Sequence, residues 1–152
     1  MSVAYQVAVC GPRHCNEQDE ANAHRVGQLL AEQGAVVLCG GGSGVMAAVA
    51  RGVRSRGGLV IGIRPEADRA GASPDLSAAV FTNLGEARNA VLVWSADAVI
   101  SVGGSWGTLS EIALAKRRGG IPVVSLDGWR LSDSGGNPID GIDYVSTAEE
   151  GA

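Results

Sequence analysis

The sequence is poor in lysine, in aromatic residues and in long apolar runs. Lys116 is the only lysine among its 12 basic residues, so a reaction that needs a reactive amine has one candidate. Aromatic residues make up 4% of the chain, so Val, Ile, Leu and Ala must fill the core. No apolar run approaches the roughly 20 residues that span a bilayer. Because no signal peptide precedes the first strand-like segment, we expect a cytoplasmic protein without membrane contact.

Cysteines are few, and the charge is weakly acidic. The three cysteines, Cys10, Cys15 and Cys39, are odd in number and irregularly spaced, which excludes a disulfide framework and favours a reducing compartment. His14 stands beside Cys15, but neither belongs to a metal-ligand spacing, so we predict no metal site. The net charge of -4 argues against a nucleic-acid partner, which would need a basic face.

Glycine is abundant instead, with 23 residues clustered between apolar segments. Continuously apolar strands alternate with helices of about 12 residues, which is typical of a parallel sheet covered on both faces. We therefore predict an α/β fold: one Rossmann-like, doubly wound domain over residues 1–152. Strands are predicted in VAYQVAVCG, AVVLCGGG, LVIGI, AAVFTNL, DAVISVGG and IPVVSLDG, and helices in NEQDEANAHRVGQLLAEQG, GVMAAVARGVRSRGG, GEARNAVLVWSA and GTLSEIALAKRRGG. Beyond Trp129 we expect turns, with a short strand or helical turn between Tyr144 and Glu150.

Ligands of such sheets lie beyond the carboxyl ends of the strands, where the strand order reverses. Gly11 ends the first strand and opens a loop that runs to Cys15. The loop after the second strand places backbone amides at a helix N-terminus, which favours an anion and predicts a phosphate cradle. The alternative is a tight turn that needs positive φ. The loop is neither G-x-G-x-x-G nor a Walker loop. Its residues are Gly40, Gly41, Gly42, Ser43 and Gly44.

A second strand–glycine–helix junction runs through Gly103, Gly104, Ser105, Trp106, Gly107 and Thr108. Either Ser105 or Thr108 is expected to cap the helix or to bind a phosphate oxygen. Glu111 is expected in the first helical turn, where it either serves chemistry or closes a T-x-x-E capping box with Thr108. The Trp106 indole either stacks on a flat ligand ring or anchors the loop.

Arg88 precedes this junction, on a helix that is otherwise apolar. Its guanidinium is suited to a forked contact with a phosphate or a carboxylate. The alternative is a surface position with the side-chain stem along apolar neighbours.

Three segments together carry a resemblance: GGGSGVMAAVARG, GEARNAVLVWSADAVISVGG and GGSWGTLSEIALA. They resemble the Rossmann-like superfamily known as lysine decarboxylase-like. That superfamily includes the Lonely Guy (LOG) phosphoribohydrolases and the molybdenum cofactor carrier proteins. The resemblance covers Val7 to Leu126 and is closest to the short carrier-type branch, whose members read G-x-G-T-L-S-E-I-A after an upstream E-A-R-N. It implies a homo-oligomer, either a dimer or a tetramer.

The LOG enzymes read P-G-G-x-G-T-x-x-E, with an arginine fifteen residues before the proline. That arginine and the final glutamate are their proposed catalytic pair, and Arg88 and Glu111 match them here. Four departures from the enzymes resemble the carrier branch. Gly103 replaces the proline, Ser105 the second glycine, Asn89 the lysine after the arginine, and Ser110 the glutamate before the last one.

The resemblance therefore implies a binding protein for a phosphorylated, ring-bearing small molecule, with the molybdenum cofactor (molybdopterin) as ligand and no other cofactor required. The alternative is a LOG-type hydrolase that cleaves the N-glycosidic bond of a cytokinin nucleoside 5′-monophosphate, releasing base and ribose 5-phosphate. In that case, Glu111 would stabilise the oxocarbenium-like transition state. Whether the protein is an enzyme stays open. Pyridoxal-phosphate lysine decarboxylation is not expected, because Lys116 lies near a helix end, away from the N-terminus where an anion would sit.

Overall fold

The computed structural model describes residues 3–152, which form one seven-stranded sheet with five α-helices. The strands are β1 (Gln6–Cys10), β2 (Val36–Cys39), β3 (Val60–Arg64), β4 (Ala78–Phe81), β5 (Ala98–Val102), β6 (Val123–Leu126) and β7 (Asp143–Val145). The helices are α1 (Glu17–Glu32), α2 (Val45–Ser55), α3 (Arg88–Trp94), α4 (Trp106–Arg118) and α5 (Ala148–Gly151). A 3-10 turn, Gly85–Ala87, leads directly into α3.

The strand order is β4-β3-β2-β1-β5-β6-β7, and all neighbouring strands are parallel. The chain winds outward from β1 to β4 and then returns to the other side of β1 with β5. The order therefore reverses between β1 and β5, and the loops after these strands diverge and leave a crevice at their carboxyl ends. The predicted doubly wound α/β fold is confirmed.

The core lies in two layers, one on each face of the sheet. Side chains alternate along β1: Val7 and Val9 join the cluster under α1 and α2, whereas Ala8 and Cys10 join the cluster with Leu92 of α3. This alternation follows from the two-residue period of a strand. The largest fully buried side chains are leucines and valines, as the scarcity of aromatic residues requires.

Several element boundaries differ from the sequence-based expectation. The helix expected over GEARNAVLVWSA is divided into the 3-10 turn and a short α3. Both a strand and a helical turn form near the C-terminus, as β7 and α5, where one or the other was expected. Within residues 3–152, none of the helices is both long enough and apolar enough to cross a membrane.

Candidate functional site

A cavity of about 370 Å³ opens at the carboxyl ends of β1 and β5, where the strand order reverses. This volume lies within the range of small-molecule sites. The loop after β1, the start of α3 and the first two turns of α4 form most of its wall. The lining residues are Gly11, Pro12, Arg13, Met46, Pro65, Gly85, Glu86, Arg88, Asn89, Ser105, Gly107, Thr108 and Glu111.

Arg88, the first residue of α3, is fixed by the sheet. Its Nη1 donates to the carbonyl oxygens of Gly40 at 2.9 Å and of Ile63 at 2.8 Å, at the ends of β2 and β3. Its Nη2 makes no hydrogen bond within the described part of the chain. One edge of the guanidinium therefore orients the side chain, while the other is left for an anion in the cavity.

Ser105 caps helix α4. Its Oγ accepts from the backbone N–H of Thr108 at 3.1 Å and lies 2.9 Å from Thr108 Oγ1. The expected position of Glu111 in the first helical turn is wrong, because the N-cap is Ser105 and Glu111 falls in the second turn, which also rules out the alternative of a capping box with Thr108. Glu111 is thus free of any capping role and faces the cavity.

The Glu111 carboxyl lines the cavity and is influenced by two neighbours, the Cys10 thiol and the positively charged Arg88 guanidinium. Burial raises its pKa, while a hydrogen bond with the Cys10 thiol and the positive charge of Arg88 oppose that rise. Burial, reinforced by the neighbouring Glu111, also raises the pKa of Cys10 well above its ordinary value. The site therefore favours a protonated carboxyl more than water does.

Glu111→Gln provides a test of this environment through the pH dependence of stability. An acid with a raised native pKa stabilises the folded state below its ordinary pKa of 4.5, and this contribution is lost as the pH rises through the native pKa. Relative to Glu111→Gln, the wild type is therefore expected to lose stability as the pH rises above about 4.5. Urea unfolding at several pH values measures this difference.

Glu149→Gln is the matched control for that series. A hydrogen bond from Arg25 lowers the pKa of the exposed Glu149. The stability that Glu149 contributes is therefore lost as the pH falls, which is the opposite trend. Equal pH trends for the two variants would contradict the assigned environment of Glu111.

The Gly40–Gly44 loop, predicted to cradle phosphate, does not line the 370 Å³ cavity. Gly40 instead makes room for Arg88: a Cβ there would lie 2.5 Å from both Arg88 Nη1 and Met46 Sδ. The first backbone amide of α2, that of Val45, donates to the Pro12 carbonyl at 3.1 Å. This loop therefore packs against residues that line the cavity, namely Arg88, Met46 and Pro12. Its predicted contact with a ligand stays a prediction.

The turn interpretation of this loop fits two of its glycines. Gly41 has φ +76° and Gly44 has φ +68°, and both lie in the left-handed region that favours glycine. Gly41 is buried against the Arg64 side chain. Gly42 and Ser43 line a smaller, neighbouring cavity.

Within the second glycine loop, the structure separates residues that were predicted to act together. Gly107 and Thr108 line the cavity, as do Gly11 and Ser105, whereas Gly103 and Gly104 face a narrow apolar crevice beside Trp129. The Trp106 indole points away from the cavity. It is 78% exposed and meets the Trp129 ring edge-on at 5.0 Å. Of the two interpretations of Trp106, this arrangement favours loop anchoring.

Two site residues were missed as individual ligand contacts. Arg13 lies in the loop that the sequence placed at the site, but its charge attracted no separate prediction. Asn89 is 7% exposed, lines the cavity, and its Oδ1 has no hydrogen-bond partner within residues 3–152. The position of Asn89, a polar residue next to Arg88 on an otherwise apolar helix, could have indicated its contact with the cavity. Lys116 does not line the cavity, and its Nζ donates to the Gly141 carbonyl at 2.9 Å.

The sequence and the fold match known proteins over almost the whole chain. The model of the SLOG cluster4 family matches residues 4–144. An uncharacterized protein of Archaeoglobus fulgidus is 41% identical over an alignment of 145 residues, and the match covers 91% of this chain and 93% of that protein.

Solved structures give a concordant result. The molybdenum cofactor binding protein of Rippkaea orientalis is 34% identical, with a TM-score of 0.86 over 98% of this chain and 93% of that one. The molybdenum cofactor carrier protein of Chlamydomonas reinhardtii is 26% identical, with a TM-score of 0.82 over 98% and 94%. The predicted resemblance to the carrier-like branch is confirmed. DprA of Streptococcus pneumoniae, at 18% identity and a TM-score of 0.70, shares the fold.

Proposed function

The chain belongs to the SLOG cluster4 family, and on this premise we propose that it binds and carries a phosphorylated, ring-bearing cofactor of the molybdopterin type. The observation that carries the proposal is the cavity at the β1/β5 reversal. It combines a fixed arginine edge, an unpartnered buried amide oxygen and the first turn of α4. The similarity to the molybdenum cofactor binding protein of Rippkaea orientalis and to the carrier protein of Chlamydomonas reinhardtii supports the choice of ligand.

The residues present fit such a ligand. Arg88 would hold a phosphate through its free edge, and the Gly107 backbone and the Thr108 hydroxyl lie on the same wall. Among residues 3–152 none donates to Asn89 Oδ1, and an N–H of a pterin ring would supply a donor. The cofactor's molybdenum chemistry would be that of the enzyme that receives it, so in this protein the cofactor is cargo.

Three features favour binding of an intact ligand over hydrolysis of its N-glycosidic bond. Asn89, where the LOG enzymes have lysine, brings no charge to the cavity. Ser110, where they have a second glutamate, is exposed and lies outside the cavity wall. Burial disfavours the ionised form of Glu111, which an oxocarbenium-like transition state would require as a counter-charge.

Co-purification tests the proposal. Protein made in a host that synthesises molybdenum cofactor is expected to retain about one pterin per site, measured by fluorescence after denaturation and oxidation. Incubation with AMP or N6-isopentenyl-AMP is expected to release no base. Base release that disappears in Glu111→Gln, with no retained pterin, would establish the hydrolase instead.

Gly107→Ala separates binding from folding. A Cβ at Gly107 would have Ser105 Oγ as its nearest neighbour, at 3.9 Å, so the fold accepts it. The added methyl lies at the cavity wall, and we expect stability to be unchanged or raised by at most about 1 kcal/mol. We expect pterin retention to fall by about tenfold, or about 1.4 kcal/mol of binding free energy.

Ser110→Ala is the control for that variant, because it changes an exposed residue of α4 outside the cavity. It should retain pterin like the wild type. Equal retention by Gly107→Ala and Ser110→Ala would show that the ligand does not contact this turn.

A further inference from the structure

We infer that a second anion subsite adjoins the cavity and takes a second phosphate, so that the ligand carries one phosphate at Arg88 and another at Arg64. This inference rests on the proposed function, because it describes the same ligand in more detail. The subsite is a cavity of about 170 Å³ beside the first, lined by Arg13, Gly42, Ser43, Arg64, Glu66, Ala70 and Gly71.

Arg64 is the main observation. It ends β3 and is only 4% exposed, yet it lines this second cavity. Its Nη2 donates to the Ala70 carbonyl at 2.7 Å and lies 2.9 Å from a carboxylate oxygen of Glu66. Its Nε is buried without a partner within the described residues. Burying a guanidinium with unpaired N–H donors costs free energy unless a further acceptor binds them. A phosphate supplies several acceptor oxygens.

The charge in this cavity is suited to an anion. Glu66 compensates Arg64, so that pair is neutral. Arg13 adds a positive charge and forms no ion pair within residues 3–152. The net charge of the lining is therefore positive, and the exposed Ser43 hydroxyl provides a further donor.

Arg13 connects the two cavities, because it lines both. Gly42 and Ser43 lie just before the N-terminus of α2, which spans Val45–Ser55, so the helix dipole favours negative charge there. With liquid water occupying about 30 Å³ per molecule, the cavity has the volume of roughly five or six waters. That is room for a phosphate. One molecule can thus place one anionic group at Arg88 and another at Arg64.

The test compares nucleotides that differ by one phosphate. Calorimetric titration of the ligand-free wild type with AMP and with ADP is expected to show about tenfold tighter binding of ADP. Ser43→Asp places a negative charge at the mouth of the subsite without disturbing a buried residue. It is expected to abolish the ADP preference, while Ser110→Asp, the same change on an exposed position outside both cavities, keeps it.

The inference is overturned if wild type and Ser43→Asp bind ADP equally, if ADP binds no tighter than AMP, or if neither nucleotide binds. The pterin content of the same preparations distinguishes a failure of the second subsite from a failure of the carrier proposal. Retained pterin with a single phosphate would leave the carrier proposal standing without the second subsite. Absence of pterin would remove the carrier proposal, whatever the nucleotide titrations show.

Discussion

Arg88→Met is expected to abolish pterin retention and to lower the free energy of unfolding by about 3 kcal/mol. The Arg88 guanidinium holds the carbonyls of Gly40 and Ile63 and so ties α3 to the ends of β2 and β3. Hydrogen bonds that involve a charged group contribute about 1.5–3 kcal/mol each. Since both bonds share Nη1, we place the sum at the lower end of the range for two, about 3 kcal/mol. Denaturant unfolding and pterin quantification measure the two effects separately.

Arg118→Met is the matched control. Arg118 Nη1 also bridges two carbonyls, those of Val93 and Ala96, at 2.6 Å each, but Arg118 does not line the cavity. Its loss should lower stability by a similar amount and leave pterin bound. Arg88→Lys should keep the charge but lose retention, because an ammonium lacks the planar fork that serves two carbonyls and a ligand together. Retention by Arg88→Met would remove Arg88 from the binding site.

Gly52→Ala is expected to be strongly destabilising, by about 3 kcal/mol or more. A Cβ at this position of α2 would overlap the backbone carbonyl of His24 in α1. A backbone carbonyl cannot move aside by a change of rotamer, so the two helices would have to shift. Overpacking of this kind costs about 1–3 kcal/mol and occasionally more. The roughly 0.5–1 kcal/mol gained by removing glycine from a helix is too small to offset it. Thermal and urea unfolding measure the result.

Gly107→Ala is the control for Gly52→Ala, because Gly107 also lies in a helix but faces open space. Gly27 of α1 repeats the Gly52 arrangement from the other side, where a Cβ would overlap the Val49 carbonyl. Gly27→Ala should therefore be destabilising as well. Equal stability of Gly52→Ala and Gly107→Ala would show that α1 and α2 can move apart without cost.

Most of the fold follows from local patterns in the sequence. The six longer strands and four longer helices were predictable because apolar runs and helical spacing reflect burial directly. Boundaries were less predictable, and α4 illustrates why. Ser105 and Thr108 are both good N-caps, and only the loop geometry selects Ser105, which moves Glu111 from the first turn to the second. The capping-box expectation failed for this reason.

The positions of Arg88, Gly107 and Thr108 in the cavity wall were predictable, because strand–glycine–helix junctions converge where the strand order reverses. The function of the Gly40–Gly44 loop depended on a distant contact. Its first glycine, Gly40, admits the guanidinium of Arg88, 48 residues away along the chain. Local motifs contain no information about that approach. For the same reason, the exposed position of Trp106 against Trp129 could not be predicted from the loop alone.

The most direct test of the central claim is a crystal structure of the protein as purified from a host that makes molybdenum cofactor. We predict density for an intact phosphorylated pterin in the 370 Å³ cavity, with a phosphate at the free edge of Arg88 and the first turn of α4. Density for ribose 5-phosphate or a free base, or a ligand bound away from the β1/β5 reversal, would contradict it.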